Sequence, residues 1–332
     1  MRQQRKRNRY CRAAGDPTML SGMAVAVRSA GLVRERRKQK RRREEIWALA
    51  FVAPALLGFL LWQLGPILGS FGIAFTNWTV ANTPRFVGLS NFERMFLHDP
   101  LFYQSLSITV VYAVASVSLS LLFALALALL LNQKIRGRTF FRTIFYLPST
   151  LPAIASSVLW LWLFNPDFGL LNAVLVAVGL PKQQWIYDEA TVLPSLVLMN
   201  LWTVGPLMVI FLAGLQSIPR YLYEAVEIDG GNSWHKLRHI TLPLLTPTIL
   251  FNLILSIIET GQAFTQPYIM TQGGPNNASL LYVLYLYRKA FQEYEMGYAS
   301  ALAWVLFVLL ATVSFLVLRT SRRWVFYAGG NE

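Results

Sequence analysis

Residues 107–131, with the sequence SITVVYAVASVSLSLLFALALALLL, decide the fold class of this chain. None of these 25 residues is charged. A helix of roughly 20 mostly apolar residues is long enough to cross the hydrocarbon core of a bilayer. Because lipid offers no hydrogen-bond partners, the backbone of such a segment must bond internally, as it does in an α-helix. The stretch therefore predicts a membrane-spanning helix.

Five more blocks of this kind occur, at residues 47–73, 144–164, 192–215, 247–270 and 298–318. Hydrophobic residues make up 55% of the 332-residue chain and charged residues only 14%. A soluble domain carries about 25% charged residues to keep its surface hydrated. The sequence thus predicts an all-α polytopic membrane protein with six transmembrane helices.

The basic residues predict how these helices are oriented. All but five of the 30 Lys and Arg lie before the first block or in the segments that follow the second, fourth and sixth blocks. The five exceptions are Arg85, Arg94, Lys182, Arg288 and Lys289. Segments rich in Lys and Arg stay on the cytoplasmic side of a membrane. Both termini are therefore predicted to be cytoplasmic.

The net charge of +14 comes largely from a basic tail, residues 1–45, which we expect to be disordered. A basic run beside an apolar block is typical of a cytoplasmic anchor that touches anionic lipid. The tail lacks the apolar periodicity of an ordered nucleic-acid-binding fold, so we expect no nucleic-acid partner. Met19 and Met23 are alternative start sites. Residues 46–320 form the predicted transmembrane domain, and residues 321–332 form a second cytoplasmic tail.

Residue types that carry catalysis or bind metals are sparse. Cys11 is the only cysteine, and the three histidines, His98, His235 and His239, are not spaced as a ligand set. No glycine-rich loop ends in Gly-Lys-Ser or Gly-Lys-Thr, as a nucleotide-binding loop would. We expect no catalytic residue, no metal site and no cofactor in this chain.

The segment 216–246, between the fourth and fifth blocks, has the pattern of a helix ended by a glycine turn. Ser217 is a suitable cap for a helix over 221–229, whose first turn tolerates Pro219 because its N–H groups are free. Gly230-Gly231 then favour the left-handed conformation that ends helices. After the turn, a second short helix is predicted over 234–242.

This second helix is predicted to be capped by Ser233 and ended by Pro243. In the first helix, three apolar residues share one face and three acids lie beside them: Leu222, Ala225 and Val226, and Glu224, Glu227 and Asp229. An amphipathic helix on the cytoplasmic side suits docking into a groove of a soluble partner. The alternative is a helix that lies flat on the bilayer, which three acids disfavour because the inner leaflet is negative.

The same loop resembles the signature of the permease subunits of binding-protein-dependent ABC importers. That signature reads Glu-Ala-Ala, three residues, Gly, nine residues, Ile, one residue, Leu-Pro. The chain matches it with Glu224, Ala225, Gly230, Ile240, Leu242 and Pro243 at the same spacing. The one departure is Val226 in place of the second alanine.

Other stretches resemble the carbohydrate-uptake branch of this family, from about residue 46 to residue 319. They are Phe86-Val-Gly-Leu-Ser-Asn-Phe92, Arg138-Thr-Phe-Phe-Arg142 with Tyr146-Leu-Pro148, Trp160-Leu-Trp-Leu-Phe-Asn165, Thr271-Gln-Gly-Gly-Pro275 and Gly297-Tyr-Ala-Ser-Ala301. The resemblance implies a bacterial plasma-membrane permease that is not itself an enzyme. It also implies two ATPase subunits, a second and related permease subunit rather than a homodimer, an extracytoplasmic solute-binding protein, and a sugar or sugar-like cargo.

The resemblance further implies roles for particular residues of the loop. Glu224, Ala225, Val226, Asp229, Gly230, Ile240, Leu242 and Pro243 would form the coupling loop that docks on an ATPase subunit.

Polar residues of the fifth block are candidates for the lining of a translocation pathway. At the helical period they share an arc of about 120°: Asn252, Ser256, Glu259, Gln262 and Gln266. Glu259 is the only acid inside a predicted span, where it needs a partner or water. The alternative is interhelical hydrogen bonding, which uses the same residue types. Weaker candidates are Asn200, Trp202 and Thr203, and an outer cluster of Tyr282, Tyr285 and Tyr287 would either meet a binding protein or anchor a helix end.

Two rival classes remain open from sequence. A self-sufficient secondary transporter would usually have more helices, internal repeats and several intramembrane charges. A membrane scaffold without a transport role would not need the polar residues of the fifth block.

Overall fold

A computed structural model describes residue 40, residues 43–133 and residues 136–326, and the regular elements in those ranges are all helices. Most of the predicted basic tail and the last six residues lie outside the described residues. The described residues divide into two compact units, one ending at Gly69 and one beginning at Ser70.

Fourteen helices are numbered here in chain order. They are α1 Arg43–Ile73, α2 Ser90–Glu93, α3 Pro100–Asn132, α4 Arg138–Tyr146, α5 Ala153–Leu163, α6 Leu170–Ala177, α7 Glu189–Trp202, α8 Gly205–Gln216, α9 Arg220–Ile228, α10 Ser233–Lys236, α11 Leu242–Gly261, α12 Thr265–Met270, α13 Tyr282–Tyr287 and α14 Met296–Ser321. In the second unit, α3 packs against α7, α8, α11 and α13.

Four stretches of helix in the described residues are long and apolar enough to cross a membrane: Arg43–Ile73, Pro100–Asn132, Ser233–Met270 and Met296–Ser321. Two further pairs of helices meet this test only together, and each pair is bent. The described chain therefore has four spans, or up to six when each bent pair counts as one.

The third predicted block, 144–164, is not one helix. Its first residues belong to α4, which meets α5 at 102°. A short 3₁₀ turn, Leu147–Thr150, joins the two helices, and Leu151 is extended. Pro148 and Pro152 explain the break, because proline lacks an N–H and disfavours the helical conformation in the residue before it.

The fourth block, 192–215, is bent by 49° where α7 ends and α8 begins. Gly205 and Pro206 open α8 at this bend. A Cβ atom on Gly205 would lie 2.7 Å from the carbonyl oxygen of Phe145 and 2.7 Å from the Cα atom of Tyr146. The absence of a side chain thus lets the bend press against the backbone of α4.

The fifth block differs from its prediction at both ends. At its start, α10 continues through a π-helical turn, Leu237–Thr241, into α11, so Pro243 does not end a separate short helix. Pro243 is tolerated because it lies in the first turn of α11, next to the wider turn. At the other end, α11 stops at Gly261 and the chain leaves the helix before α12 begins.

Candidate functional site

The predicted glycine turn ends α9. Gly230 has a φ of +76°, in the left-handed region that favours glycine. Its N–H donates to the carbonyl of Glu227 at 3.1 Å, and the N–H of Gly231 donates to the carbonyl of Val226 at 2.8 Å. These two bonds form a Schellman motif, which satisfies the last carbonyl groups of a helix.

The two glycines have different roles in the turn that the pair was predicted to form. Gly231 is not one of the described glycines that have a positive φ. A Cβ atom there would lie 2.5 Å from Cγ1 of Val226. Gly230 is therefore needed for its backbone conformation, and Gly231 for close packing against the end of α9.

The predicted caps of both helices are also wrong. The N-cap of α9 is Pro219, and the hydroxyl of Ser217 donates to the carbonyl of Gly214. The N-cap of α10 is Asn232, which forms a capping box with His235. Ser and Asn are near-equal caps, so residue type alone does not select the cap.

Side-chain contacts brace the two helices of this hairpin. Lys236 of α10 forms an ion pair with Glu227 of α9. The hydroxyls of Tyr223 and Thr241 lie 3.1 Å apart. Ile240 packs against the same apolar cluster as Tyr223. Because α10 runs on into α11, the hairpin is rigidly joined to the helix that carries the predicted polar residues.

The apolar face predicted for α9 is only partly exposed, because Ala225 is exposed whereas Leu222 and Val226 are partly buried. Leu222 is partly buried and packs against the cluster that contains Met208 and Leu245. Four of its exposed side chains share one face at the spacing i, i+3, i+4, i+7 and are called here the α9 stripe: Tyr221, Glu224, Ala225 and Ile228. Tyr221 is 66% exposed and Ile228 is 86% exposed. Asp229, the C-cap of α9, is exposed beside the stripe, whereas Leu242 and Pro243 open α11.

A polar pocket of about 700 Å³ lies between α9 and the adjacent ends of α3, α4 and α8. Its charged lining residues are Arg138, Arg220, Glu224 and Glu227. The loop signature thus contributes to an open pocket as well as to the exposed stripe.

A second, smaller cavity of about 120 Å³ lies between α3, α11 and the bend that joins α7 to α8. Ser256 and Glu259 of α11 line it. The other polar lining residues are Ser116 and Ser120 of α3, Asn200 and Thr203 near the bend, and Thr260. The structure therefore brings two of the five predicted lining residues together with polar groups from α3 and from the bend between α7 and α8.

Several polar atoms around this cavity are buried without a protein hydrogen-bond partner among the described residues. They include the hydroxyls of Ser120 and Ser256 and the side-chain oxygen of Asn252. Asn252 does not line the cavity; its amide nitrogen donates to the carbonyl of Leu207 in α8 at 3.3 Å. A buried hydroxyl without a partner costs stability unless water or a ligand bonds to it.

The remaining two residues of the predicted polar arc lie past the end of α11. Gln262 is exposed at its C-cap, and Gln266 is on α12. The prediction of one continuous polar arc is wrong for these two, because the helix breaks after Gly261. Sequence reasoning missed Ser116 and Ser120, although their i, i+4 spacing in an otherwise apolar span was a usable signal.

The tyrosines expected to form an outer cluster are separated by the fold. Tyr282 and Tyr285 are buried, with 0% and 1% exposure, whereas Tyr287 stacks among partly exposed aromatic rings. Tyr285 and Tyr298 both donate to the same carboxylate oxygen of Asp99. Asp99 also caps α3 through the N–H groups that follow it.

This carboxylate is held ionised. Partial burial opposes its ionisation, but the bonds from Tyr285, Tyr298 and the backbone of Phe102 outweigh that effect and lower the pKa of Asp99 below its ordinary value of 3.8. The cluster ties the start of α3 to α13 and α14.

This chain is similar in sequence to known transport proteins. A family model described as "Binding-protein-dependent transport system inner membrane component" matches residues 120–325. The probable ABC transporter permease protein YesP of Bacillus subtilis (strain 168) is 38% identical over 295 residues, which cover 88% of this chain and 95% of that protein. The arabinooligosaccharides transport system permease protein AraP of the same organism is 34% identical over 275 residues, covering 82% and 87% of the two chains.

A solved structure shares the fold. A chain of a bacterial alginate ABC transporter, crystallised in complex with an alginate pentasaccharide-bound periplasmic protein, aligns with a TM-score of 0.76 at 23% identity. The alignment covers 86% of this chain and 96% of that chain.

Proposed function

Since this chain belongs to the family of inner-membrane components of binding-protein-dependent transport systems, and is therefore a permease subunit of an ATP-driven ABC importer, we propose that its cargo is a sugar or a sugar-like solute. ATP is hydrolysed by a separate partner subunit. The alternative of a self-sufficient secondary transporter is excluded by the family match.

The polar cavity is the observation that best supports a sugar or a sugar-like solute as the cargo. It offers hydroxyls, an amide and a carboxylate inside an otherwise apolar bundle, and the hydroxyls of Ser120 and Ser256 lack a protein partner among the described residues. Sugars present several hydroxyls, each of which donates and accepts hydrogen bonds. Ser256 and Glu259 would bond to the solute, and Asn252 would support them through α8. Gln262 and Gln266 would contact the solute nearer the outer mouth.

The α9 hairpin would couple ATP hydrolysis to this cavity. The α9 stripe presents apolar and acidic groups at helical spacing, which suits a groove on the ATPase subunit. The braced turn and the continuous run from α10 to α11 would carry a displacement of α9 to Ser256 and Glu259. In this account, ATPase closure exchanges one access state of the cavity for the other.

The proposed importer has a defined membrane topology and a defined set of partner subunits. Each bent helix pair would supply one crossing of the membrane, which makes six crossings within residues 46–320. Positive-inside asymmetry supports placing the loop 216–246 and both tails, residues 1–45 and 321–332, in the cytoplasm. Two ATPase subunits, a second related permease and an extracytoplasmic binding protein would complete the importer.

Affinity purification from the native membrane tests the assembly. We expect a tagged chain to recover an ATP-hydrolysing subunit and a second permease, both identified by mass spectrometry. The purified complex, placed in proteoliposomes with its binding protein, is then assayed with a panel of labelled mono- and oligosaccharides. Uptake of at least one sugar that depends on ATP supports the proposal. Uptake of amino acids or inorganic ions instead of any sugar would overturn the cargo assignment.

A further inference from the structure

Helix α4, Arg138–Tyr146, is nearly perpendicular to the helix that follows it. It meets α5 at 102°, and its nine residues extend for roughly 14 Å. Its N-cap, Gly137, is left-handed with a φ of +80°, so the chain also turns sharply before α4. A helix this short, at a right angle to a spanning segment, runs along a membrane surface or a protein surface.

The basic face of α4 is turned toward the protein. Arg142 donates from Nη2 to the carbonyl of Leu131 at 3.1 Å, near the C-terminal end of α3. Arg138 lines the polar pocket together with Glu224 and Glu227 of α9. The two arginines are four residues apart and hold α4 against the end of the molecule where the α9 hairpin lies.

The opposite face of α4 is apolar and exposed. Phe140 is 65% exposed, Ile144 is 45% exposed and Leu147, just past the helix, is 56% exposed. Their spacing of i, i+4, i+7 makes one stripe, called here the α4 stripe. Phe140 is two residues from Arg138, which places the two on opposite sides of the helix.

The segment that follows the α4 stripe in the chain also has an exposed apolar surface. Leu151, Ile154 and Val158, in and before α5, are each more than a third exposed and apolar. Such a surface on a spanning helix faces lipid. An exposed apolar stripe on one face and basic residues on the other are the pattern of helices that lie in the membrane interface.

We propose that α4 is an interfacial helix whose stripe of Phe140, Ile144 and Leu147 is embedded in the lipid leaflet on the side of the α9 hairpin. Arg136, which is exposed just before α4, then lies at the level of the lipid phosphates. The helix gives α9 a support fixed to the membrane surface, since Arg138 of α4 and the acids of α9 share one pocket.

Depth-dependent fluorescence quenching tests this proposal in the assembled transporter. Cys11→Ser removes the only native cysteine. Phe140→Cys and Ile144→Cys are then labelled with an environment-sensitive fluorophore in vesicles of phosphatidylcholine and phosphatidylglycerol. Brominated lipids place the quencher shallow or deep in the leaflet, and iodide quenches from water. Leu122→Cys, exposed in the middle of α3, is the matched lipid control, and Asp167→Cys, at an exposed aspartate near α6, is the water control.

We expect the labels at 140 and 144 to be quenched at least about threefold more strongly by shallow bromines than by iodide, as an interfacial helix requires. The label at 122 should favour the deep bromines, and the label at 167 should favour iodide. Quenching of 140 and 144 by iodide alone would overturn the proposal, because α4 would lie in water. Protection from both quenchers would also overturn it and would assign the stripe to a protein partner.

Discussion

Lys236 and Glu227 form an ion pair across the glycine turn that joins α9 to α10. The pair is partly exposed, so on its own it adds at most about 1 kcal/mol to stability. Its importance is geometric, because it acts together with the Schellman bonds of Gly230 and Gly231 and the contact between Tyr223 and Thr241. These contacts hold α9 at a fixed angle to a helix that runs directly into α11.

Replacement of Gly230 should uncouple transport from ATP hydrolysis. A β-branched residue in the left-handed conformation costs about 1–3 kcal/mol, so Gly230→Val should deform the turn. No atom lies within 4 Å of a Cβ at this position, so the strain is in the backbone and not in packing. We expect sugar uptake per ATP hydrolysed to fall at least about tenfold, while membrane insertion is unchanged.

Gly230→Asn is the matched control for this variant. Asparagine tolerates the left-handed conformation far better than valine, so this variant should keep most of the uptake. Equal loss in both variants would show that the conformation of residue 230 is not what matters.

Removal of polar groups from the small cavity should lower uptake without disturbing assembly. Ser256→Ala removes a buried hydroxyl that has no protein partner among the described residues, so stability should not fall. Glu259→Ala removes the acid, and we expect initial uptake rates to drop roughly tenfold or more, equivalent to about 1.4 kcal/mol. Glu259→Gln, which keeps hydrogen-bonding capacity, should retain more activity than Glu259→Ala.

Ser314→Ala controls for the loss of a serine hydroxyl. Ser314 is half-buried in α14 with an unpaired hydroxyl, but it does not line the cavity. Its replacement should leave uptake within about twofold of wild type, a change below 0.5 kcal/mol. A pathway role for Ser256 fails if Ser256→Ala and Ser314→Ala have the same effect on the uptake rate.

The carboxylate of Asp99 should contribute to stability at neutral pH. Asp99→Asn removes a charged acceptor shared by Tyr285 and Tyr298, which should lower the free energy of unfolding by about 1–3 kcal/mol. Thermal melting of the purified complex measures this loss. Asp167→Asn, at an exposed aspartate near α6, is the control and should change little.

The pH dependence of this contribution has a definite sign. The pKa of Asp99 is lower in the folded protein than its ordinary value of 3.8, so the folded state favours the ionised form. The contribution is fully present above pH 3.8 and is lost as the pH falls through the lower, folded value. Wild type and Asp99→Asn should therefore converge in melting temperature below about pH 4. A constant difference down to about pH 2 would contradict this assignment.

A side chain at Gly205 should destabilise the bend between α7 and α8. A methyl group there would lie 2.7 Å from backbone atoms of Phe145 and Tyr146, which cannot move as a flexible side chain can. Overpacking of this kind costs about 1–3 kcal/mol, so Gly205→Ala should lower the melting temperature. Gly72→Ala, in a helix with no atom within 4 Å, should leave it unchanged or raise it slightly. Similar melting temperatures for both variants would show that the bend does not need the close approach.

The apolar blocks and the helical class could be read from sequence because both depend on local composition. Residues 107–131 lie wholly within α3, as predicted. The breaks in the third and fourth blocks were harder to predict from sequence, although Pro148, Pro152 and Gly205 lie at these breaks. Proline in a spanning segment either kinks or ends a helix, and tertiary contacts decide which. The 102° turn after α4 depends partly on Arg142, whose contact with Leu131 is not a local property of sequence.

In the candidate site, too, some features depend on local sequence and others depend on tertiary packing. The left-handed turn at Gly230 follows from local backbone chemistry and could be predicted. Which face of α9 is exposed could not, because Leu222 is drawn inward by apolar residues of α8 and α11 that are distant in sequence. Likewise, Ser256 and Ser120 line one cavity only because α11 packs against α3.

Cross-linking from the α9 stripe tests most directly whether this hairpin is the point of contact with the ATPase subunit. In a Cys11→Ser background, Tyr221→Cys and Ile228→Cys are treated with a short cysteine-reactive cross-linker in native membranes, and the products are identified by mass spectrometry. Leu222→Cys, which faces inward on the same helix, is the matched control. We expect positions 221 and 228 to join to an ATP-hydrolysing subunit and position 222 not to do so. Cross-links from 221 and 228 to lipid-facing or unrelated proteins, with none to an ATPase in an intact complex, would contradict it.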